Sequence, residues 1–288
     1  MVSSLLLTSP LVLAASRYVA TTGSNSVNTS PNNCLAQASP CLTLQHAFSQ
    51  MASGDTLIIA NGAYSGTGNS LDTSSGSNFI PNGTGVGLNP YTIIKAATDG
   101  GVTIAAPFVL GTTSAYLQFE GLKINYSASG KNISGHHIKI FRTAFVGGPS
   151  TGNQINLGIG TNDVTPGANY ILLEDVWSYG SGGRYNISVF NSTNVILRRV
   201  VIRHDPGWVF DNNNPEGGLI VYNSNHVELQ NVIGIDLGTL NAARNGGIGV
   251  FHNESNANSL THHSDNRYVG CHGYNMTFSR TPSADVCR

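Results

Sequence analysis

A short β-type stretch recurs in this sequence at intervals of 21 to 33 residues, and this repeat constrains the fold more than any other feature. The apolar anchors of five such stretches are Phe119, Ile140, Leu173, Leu197 and Leu229. A second set of β-type stretches follows the last three of these, and its anchors are Phe190, Tyr222 and Phe251. Stretches of this kind, without helical patterning, are typical of a solenoid in which each coil pairs with the next. The sequence therefore predicts an all-β parallel β-helix in which these two sets of anchors stack from coil to coil in the core. Because strand–crossover–strand connections are almost always right-handed, we expect a right-handed coil.

The N-terminal part adds one helix to this pattern. Residues 40–66 predict a short helix over Leu44–Met51 and a strand over Thr56–Ala60. Residues 1–16 combine an apolar run with small residues, which is typical of a signal peptide, although a buried first strand is the alternative. We expect one domain, in which residues 17–66 supply an N-terminal strand and a capping helix, and residues 67–288 form the coils.

Three segments carry a resemblance to a known family. The stretches "YVATTGS", "CLTLQHAFSQMASGDTLIIANGAYSG" and "YTIIKAATDGGVTI" resemble the opening of secreted right-handed parallel β-helix proteins of the pectate-lyase-like superfamily. The resemblance implies that the helix caps the open core and unpaired edge of the first coil. It also implies that a site would lie on the lateral groove of the solenoid. A shared fold does not fix an activity.

The composition of the chain restricts the classes of partner it can bind and the cellular compartment in which it folds. The net charge of −1 and pI of about 6.7 argue against nucleic acid as a partner. No apolar run after the start reaches the roughly 20 residues of a membrane-spanning helix. Four cysteines form two close pairs, which predicts the disulfides Cys34–Cys41 and Cys271–Cys287 and an oxidising, extracellular location, with metal ligation as the alternative.

The stretch "NVILRRVVIRHD", residues 194–205, holds three arginines in a chain of which only 10% is charged. If the anchors stack, Arg199 lies between Asp175 and Asn231, and Arg198 lies beside Glu174. Such cross-strand pairs stabilise a sheet and need no substrate.

Arg203 and the residues after it lie where the strand ends and a turn begins. The alignment places His204 beside Asp236 of the next coil, and Tyr179 one coil before Arg203. The candidate catalytic residues are Arg203, His204, Asp236 and Arg184. The candidate substrate-binding residues are Trp208, Glu216 and Tyr179. A turn histidine bonded to an aspartate, with no substrate, is the alternative, and Trp177, which lies within a strand, is expected in the core.

The resemblance also suggests a reaction. In β-eliminating lyases of the superfamily, an arginine or lysine removes the proton beside a uronate carboxylate, and Ca²⁺ held by acidic residues neutralises that carboxylate. Arg203 or Arg184 could be the base, and Asp175 and Asp205 are weak candidate Ca²⁺ ligands. The sequence contains no Asp-Asp pair of the kind found in related hydrolases. We therefore expect a secreted protein that interacts with a polysaccharide or cell-surface glycan, and lyase activity on an acidic uronate polymer is one candidate form of that interaction. The alternative is a non-catalytic extracellular structural or adhesive solenoid, and self-association remains open.

Overall fold

The structure is a computed structural model of the 288-residue chain, and it describes residues 14–26, 33–74, 78–127, 131–148, 155–161, 167–181, 185–203, 217–235, 249–254 and 266–274. Within these ranges lie one α-helix, α1 Leu44–Gln50, one short 3-10 helix, Thr67–Asn69, and 22 strands. The strands are β1 Ser16–Val19, β2 Thr56–Ile59, β3 Gly62–Ser65, β4 Leu71–Asp72, β5 Thr92–Ala96, β6 Val102–Ala105, β7 Phe108–Leu110, β8 Ala115–Glu120, β9 Leu122–Asn125, β10 Lys131–Ile133, β11 His136–Phe141, β12 Ala144–Val146, β13 Ile155–Ile159, β14 Asn169–Tyr179, β15 Tyr185–Phe190, β16 Thr193–Arg203, β17 Gly217–Tyr222, β18 Asn225–Gln230, β19 Ile233–Ile235, β20 Gly249–Glu254, β21 Arg267–Val269 and β22 His272–Tyr274.

The strands form an all-β parallel β-helix, as the sequence predicts. Each strand pairs in parallel with its equivalents in the coils before and after it, so the coil has three faces. The first face contains β1, β2, β5, β8, β11, the first halves of β14 and β16, β18 and β21. The second contains β3, β6, β9, β12, the second halves of β14 and β16, β19 and β22. The third is a separate sheet of β4, β7, β10, β13, β15, β17 and β20.

The predicted register of the first face is confirmed. Ile140 pairs with both Phe119 and Leu173, and Leu197 pairs with both Leu173 and Leu229. All five side chains are fully buried. The apolar period in the sequence is therefore the vertical stacking of core residues on successive coils.

The predicted register of the third face is only partly correct. Phe190 and Tyr222 pair as expected, and their ring centres lie 5.5 Å apart. Phe251, however, pairs with Leu219, so the prediction that it stacks on Tyr222 is wrong by three residues. The core placement is also wrong for Phe190 and Tyr222, which are half-buried beside the fully buried Val189. Successive side chains of a strand point to opposite faces, and Val189 takes the inward position.

The capping helix and its disulfide are present. α1 ends one residue before the predicted Met51, and the side chain of Thr43 accepts a hydrogen bond from the backbone N–H of His46 at its start. Cys34 and Cys41 form a disulfide with a Cα separation of 5.3 Å. Both cysteines are buried with the apolar face of α1 at the N-terminal end of the core.

A column of left-handed residues separates the first face from the second. It consists of Gly121, Arg142, Asp175, Arg199 and Asn231, whose φ angles lie between 46° and 69°. Only glycine, and to a lesser degree Asn and Asp, adopt this conformation at low cost. The column bends the chain at the same place in each coil and thereby sets the edge of the second face. No helix in the described ranges is long and apolar enough to cross a membrane.

Candidate functional site

A groove on the second face collects basic and aromatic side chains. A recess of about 490 Å³ is lined by Asp99, Gly100, Leu122, Lys123, Arg142, Ala144, Trp177 and Tyr179. Ala144 pairs with Lys123 on one side and with Trp177 on the other. The recess therefore lies where a small side chain stands between two large ones on successive coils.

Strand alternation places these side chains on the outer surface. In the second half of β14, Val176 and Ser178 are buried, whereas Trp177 is 43% exposed. Tyr179 follows two residues later on the same outer side, because side chains alternate along a strand. Lys123 and Trp177 are two strand spacings apart, which is about 10 Å.

Arg203 extends the groove to the next coil. Its guanidinium carbon lies 5.2 Å from the centre of the Tyr179 ring, and the side chain is exposed. The sequence predicted this juxtaposition from the register, and Ser178 and Ile202, the residues immediately before them, are indeed paired. The groove therefore presents a cation at each end, Lys123 and Arg203, with Trp177 and Tyr179 between them.

A cluster of ion pairs at the left-handed column forms one wall of the groove. Arg142 contacts the carboxylate of Asp99 at 2.7 Å and that of Glu120 at 2.8 Å. Burial acts to lower the pKa of Arg142, but the hydrogen bonds and charges of these two carboxylates outweigh it and raise that pKa. Two carboxylates offset the charge of Arg142, so this side chain shapes the wall of the groove.

Arg198 and Arg199 pair within the sheet, as predicted. The Nε of Arg199 lies 2.6 Å from Asp175, and its Nη2 contacts both Asp175 and Glu174. Arg198 reaches Glu174 at 3.3 Å. Hydrogen bonds from Arg199 lower the pKa of Asp175 and raise that of Arg199 itself. Both carboxylate oxygens of Asp175 accept from Arg199, so binding of Ca²⁺ by Asp175 would require this pair to open.

Several predicted site residues lie outside the described ranges. They are Arg184, His204, Asp205, Trp208, Glu216, Asp236 and Cys287. Their roles, and the disulfide of Cys287 with the buried Cys271, remain predictions. Of the proposed catalytic and substrate-binding set, the described part of the structure places Arg203 and Tyr179 together.

The sequence prediction for Trp177 is wrong. Trp177 is exposed on the groove because the core side of β14 is taken by Val176 and Ser178. The nearby Tyr185 is buried and therefore offers no exposed ring to the groove. Lys123 was not predicted as a site residue at all. Extending the strand alignment back to β9 would have placed Lys123, Ala144 and Trp177 in one column.

Behind the groove, a buried polar cluster lies at the corner between the second and third faces. Lys131 is 1% exposed, and its Nζ donates to the Val146 carbonyl at 2.9 Å and to Asn156 Oδ1 at 2.8 Å. Asn156 in turn donates to the Ser178 hydroxyl at 2.9 Å. Burial lowers the pKa of Lys131 to about 7. The cluster connects β10, β12, β13 and β14, and β14 is the strand that carries Trp177 and Tyr179.

Comparisons with known proteins give distant structural similarities. No protein-family model matches this sequence, and no curated protein matches it. An alginate lyase from Paenibacillus sp. str. FPU-7 is similar at 13% identity and a TM-score of 0.46, over 90% of this chain and 87% of that one. A rhamnogalacturonan lyase is similar at 12% identity and a TM-score of 0.42, over 93% of this chain and 69% of that one. These similarities are too distant to assign an activity to this chain.

Proposed function

We propose that this protein binds an acidic polysaccharide along the groove of the second face. The observation that carries the proposal is the group of outward side chains on the second face, with Lys123 and Trp177 in one column and Tyr179 and Arg203 in a neighbouring column. Exposed aromatic rings offer flat apolar faces to sugar rings, and a lysine or arginine attracts the carboxylate of a uronate. A polymer lying along the axis would meet these groups in turn, because the coils repeat at about 4.8 Å.

The finer proposal is β-elimination of a uronate polymer in the same groove. The specific observation in its favour is the contact between Arg203 and Tyr179, which places a cation over a phenol ring on the adjacent coil. Such a reaction needs a base near the proton beside the carboxylate, and a cation to stabilise the charge that develops. Arg184, His204 and Asp236 would complete the site.

A binding assay tests the first proposal. Polygalacturonate and alginate, titrated by calorimetry into the purified protein, are expected to bind and to lose affinity with rising salt, because exposed charges are screened. A neutral glucan of matched length is the control. Equal binding of the neutral and acidic polymers, or binding of neither, contradicts the proposal.

A spectroscopic assay separates the enzyme from the non-catalytic solenoid. A lyase product carries an unsaturated uronate whose ultraviolet absorbance rises with turnover. We expect that rise with an acidic polymer, and measurement with and without a chelator tests the role of Ca²⁺. Binding without any rise in absorbance would support the non-catalytic adhesive solenoid instead.

A further inference from the structure

We propose that the first face is a self-association surface on which a second copy of this chain packs antiparallel to the first. The inference does not depend on the proposed function, because the groove lies on the second face and stays open in such a dimer. The occupant is argued from the order of charges along the first face.

Two neighbouring columns of outward side chains carry this order. One column reads Lys139, Leu172, Ile196 and Glu228 on four successive coils. The next column reads Phe141, Glu174, Arg198 and Gln230 on the same coils. Within these four coils the first column has a basic residue, two apolar residues and an acidic residue, and Arg267 of the following coil lies 3.7 Å from the carboxylate of Glu228. In the second column the two central residues are acidic and basic, in that order, and they also contact each other within one copy at 3.3 Å.

In both columns, the charges of one copy match opposite charges of a second copy that is related to it by the same two-fold axis. Consider a two-fold axis that is parallel to the strands and lies over the face, midway between β14 and β16. Rotation about this axis reverses the order of the coils in the second copy. Each column of the first copy then faces the same column of the second copy. The rotation places Lys139 of one copy against Glu228 of the second copy, three strand spacings or about 14 Å from its own Glu228. It also places Glu174 of one copy against Arg198 of the second. Opposite charges then face each other four times, as an isologous interface requires.

The middle of this surface can bury apolar area. Leu172 and Ile196 lie side by side on the outer surface, and each is half-buried. They form the floor of a cleft of about 440 Å³ whose rim includes Tyr170, Lys139 and Glu228. Tyr170 is 51% exposed and stacks on the His137 ring at 4.6 Å, so it projects as a preformed aromatic edge. An apolar centre surrounded by charged groups is the usual anatomy of a protein interface.

The area of the face sets the expected strength. From β8 to β21 the first face spans six strands of up to six residues, or about 24 Å by 20 Å. Two such faces bury an area of the order of 1,000 Å², near the lower limit for a specific interface. We therefore expect a weak dimer that forms at micromolar concentrations.

The proposal is tested by sedimentation velocity of the full chain over a range of concentrations. The wild type is compared with variants in which the charges at the two ends of the first column are reversed. Lys139→Glu makes both ends of the first column acidic, and Glu228→Lys makes both ends basic. Each variant alone is expected to dissociate at least tenfold more readily, because like charges then face each other. An equimolar mixture of the two variants is expected to associate, and so is the double variant, because both restore opposite charges.

The mixture also answers the question of folding, because a misfolded variant would not associate with its counterpart. Lys123→Glu, the same change on the second face, is the matched control and should sediment as the wild type does. A wild type that stays monomeric at all concentrations overturns the proposal, and so does a mixture that fails to associate. Association that Lys123→Glu abolishes would place the interface on the second face and would equally refute it.

Discussion

The guanidinium of Arg203 lies over the ring of Tyr179 on the neighbouring coil, with 5.2 Å between its central carbon and the ring centre. A cation–π contact at an exposed site contributes roughly 0.5–1 kcal/mol. That is enough to favour one orientation of a long side chain. The cation is thereby held at the end of the groove, in the column beside that of Trp177 and Lys123.

Arg203→Ala is expected to weaken binding of an acidic polysaccharide at least tenfold, or by about 1.4 kcal/mol, and to leave the melting temperature nearly unchanged. The reason is that Arg203 is exposed and supplies charge to the ligand and little packing to the core. Calorimetric titration with polygalacturonate and a thermal melt measure the two effects. Arg203→Lys keeps the charge but not the planar stacking, so it should lie between the wild type and Arg203→Ala. If the alanine variant lost stability and kept its affinity, Arg203 would be a structural residue.

Trp177→Ala is expected to reduce affinity for the same polymer at least tenfold, since it removes the largest exposed apolar face of the groove. Tryptophan fluorescence should change when the polymer binds to the wild type, and that change should be lost in the variant. Phe79→Ala is a suitable control, because Phe79 is 57% exposed and does not line the groove. A fluorescence change that survives in Trp177→Ala would assign the signal to Trp208 and contradict the role of Trp177.

The sequence was sufficient for the register of the first face, because buried anchors such as Leu173 and Leu197 must stack at every coil. It was insufficient on the third face, where the motif around Phe251 resembles the one around Tyr222 but is displaced by three residues. A short motif with adjacent glycines allows more than one register, and only pairing along the whole strand decides between them.

At the candidate site, too, the sequence predicts some features and not others. Tyr179 and Arg203 could be placed together by alignment alone. The left-handed conformation of Arg142 and Arg199 could not be predicted, because neither residue type favours positive φ. Exposure of Trp177 was missed because its apolar character suggested the core, whereas strand alternation assigns the core to Val176.

Arg199→Ala is expected to have the opposite effect to Arg203→Ala, with lower stability and unchanged polysaccharide binding. It removes the partner of Asp175 and one partner of Glu174, and leaves two carboxylates close together. The pair is exposed, so the fall in melting temperature should be small, about 2–4 °C at most, and should shrink at high salt. Thermal melts at low and high ionic strength measure it. A fall that does not depend on salt would show that packing, and not charge, is what Arg199 contributes.

All four cysteines are expected to be oxidised when the protein is produced in an oxidising compartment. The disulfide of Cys34 with Cys41 is present in the structure, and the bridge from Cys271 to Cys287 is the sequence prediction. Thiol titration of the unfolded, unreduced protein should find no free thiol, and peptide mapping should recover the two pairs. Cys34→Ser with Cys41→Ser should lower the free energy of unfolding by about 2–3 kcal/mol, because the bridge closes a short loop before the cap. Recovery of Cys287 as a free thiol would refute the second bridge.

The buried Lys131 makes stability depend on pH in a defined direction. Its pKa is lowered from 10.5 to about 7 in the folded protein, so between these values the unfolded chain holds a proton that the folded chain lacks. Stability therefore rises with pH through this window, by at most about 1.4 kcal/mol per pH unit from this one group. Below pH 7 both states are protonated, and the full cost of burying the charge is present.

Lys131→Met tests this linkage, because it keeps the aliphatic length of the side chain and removes the titrating amine. The free energy of unfolding, measured with denaturant from pH 6 to pH 9.5, should be compared between the wild type and the variant. We expect the wild type to gain stability relative to the variant as pH rises above about 7, and the difference to be constant below it. The variant also leaves the Val146 carbonyl without the Lys131 donor, which shifts the difference by a constant and does not affect its slope. A difference that stays flat across the window would show that Lys131 keeps its proton in the folded protein, held by its carbonyl acceptors.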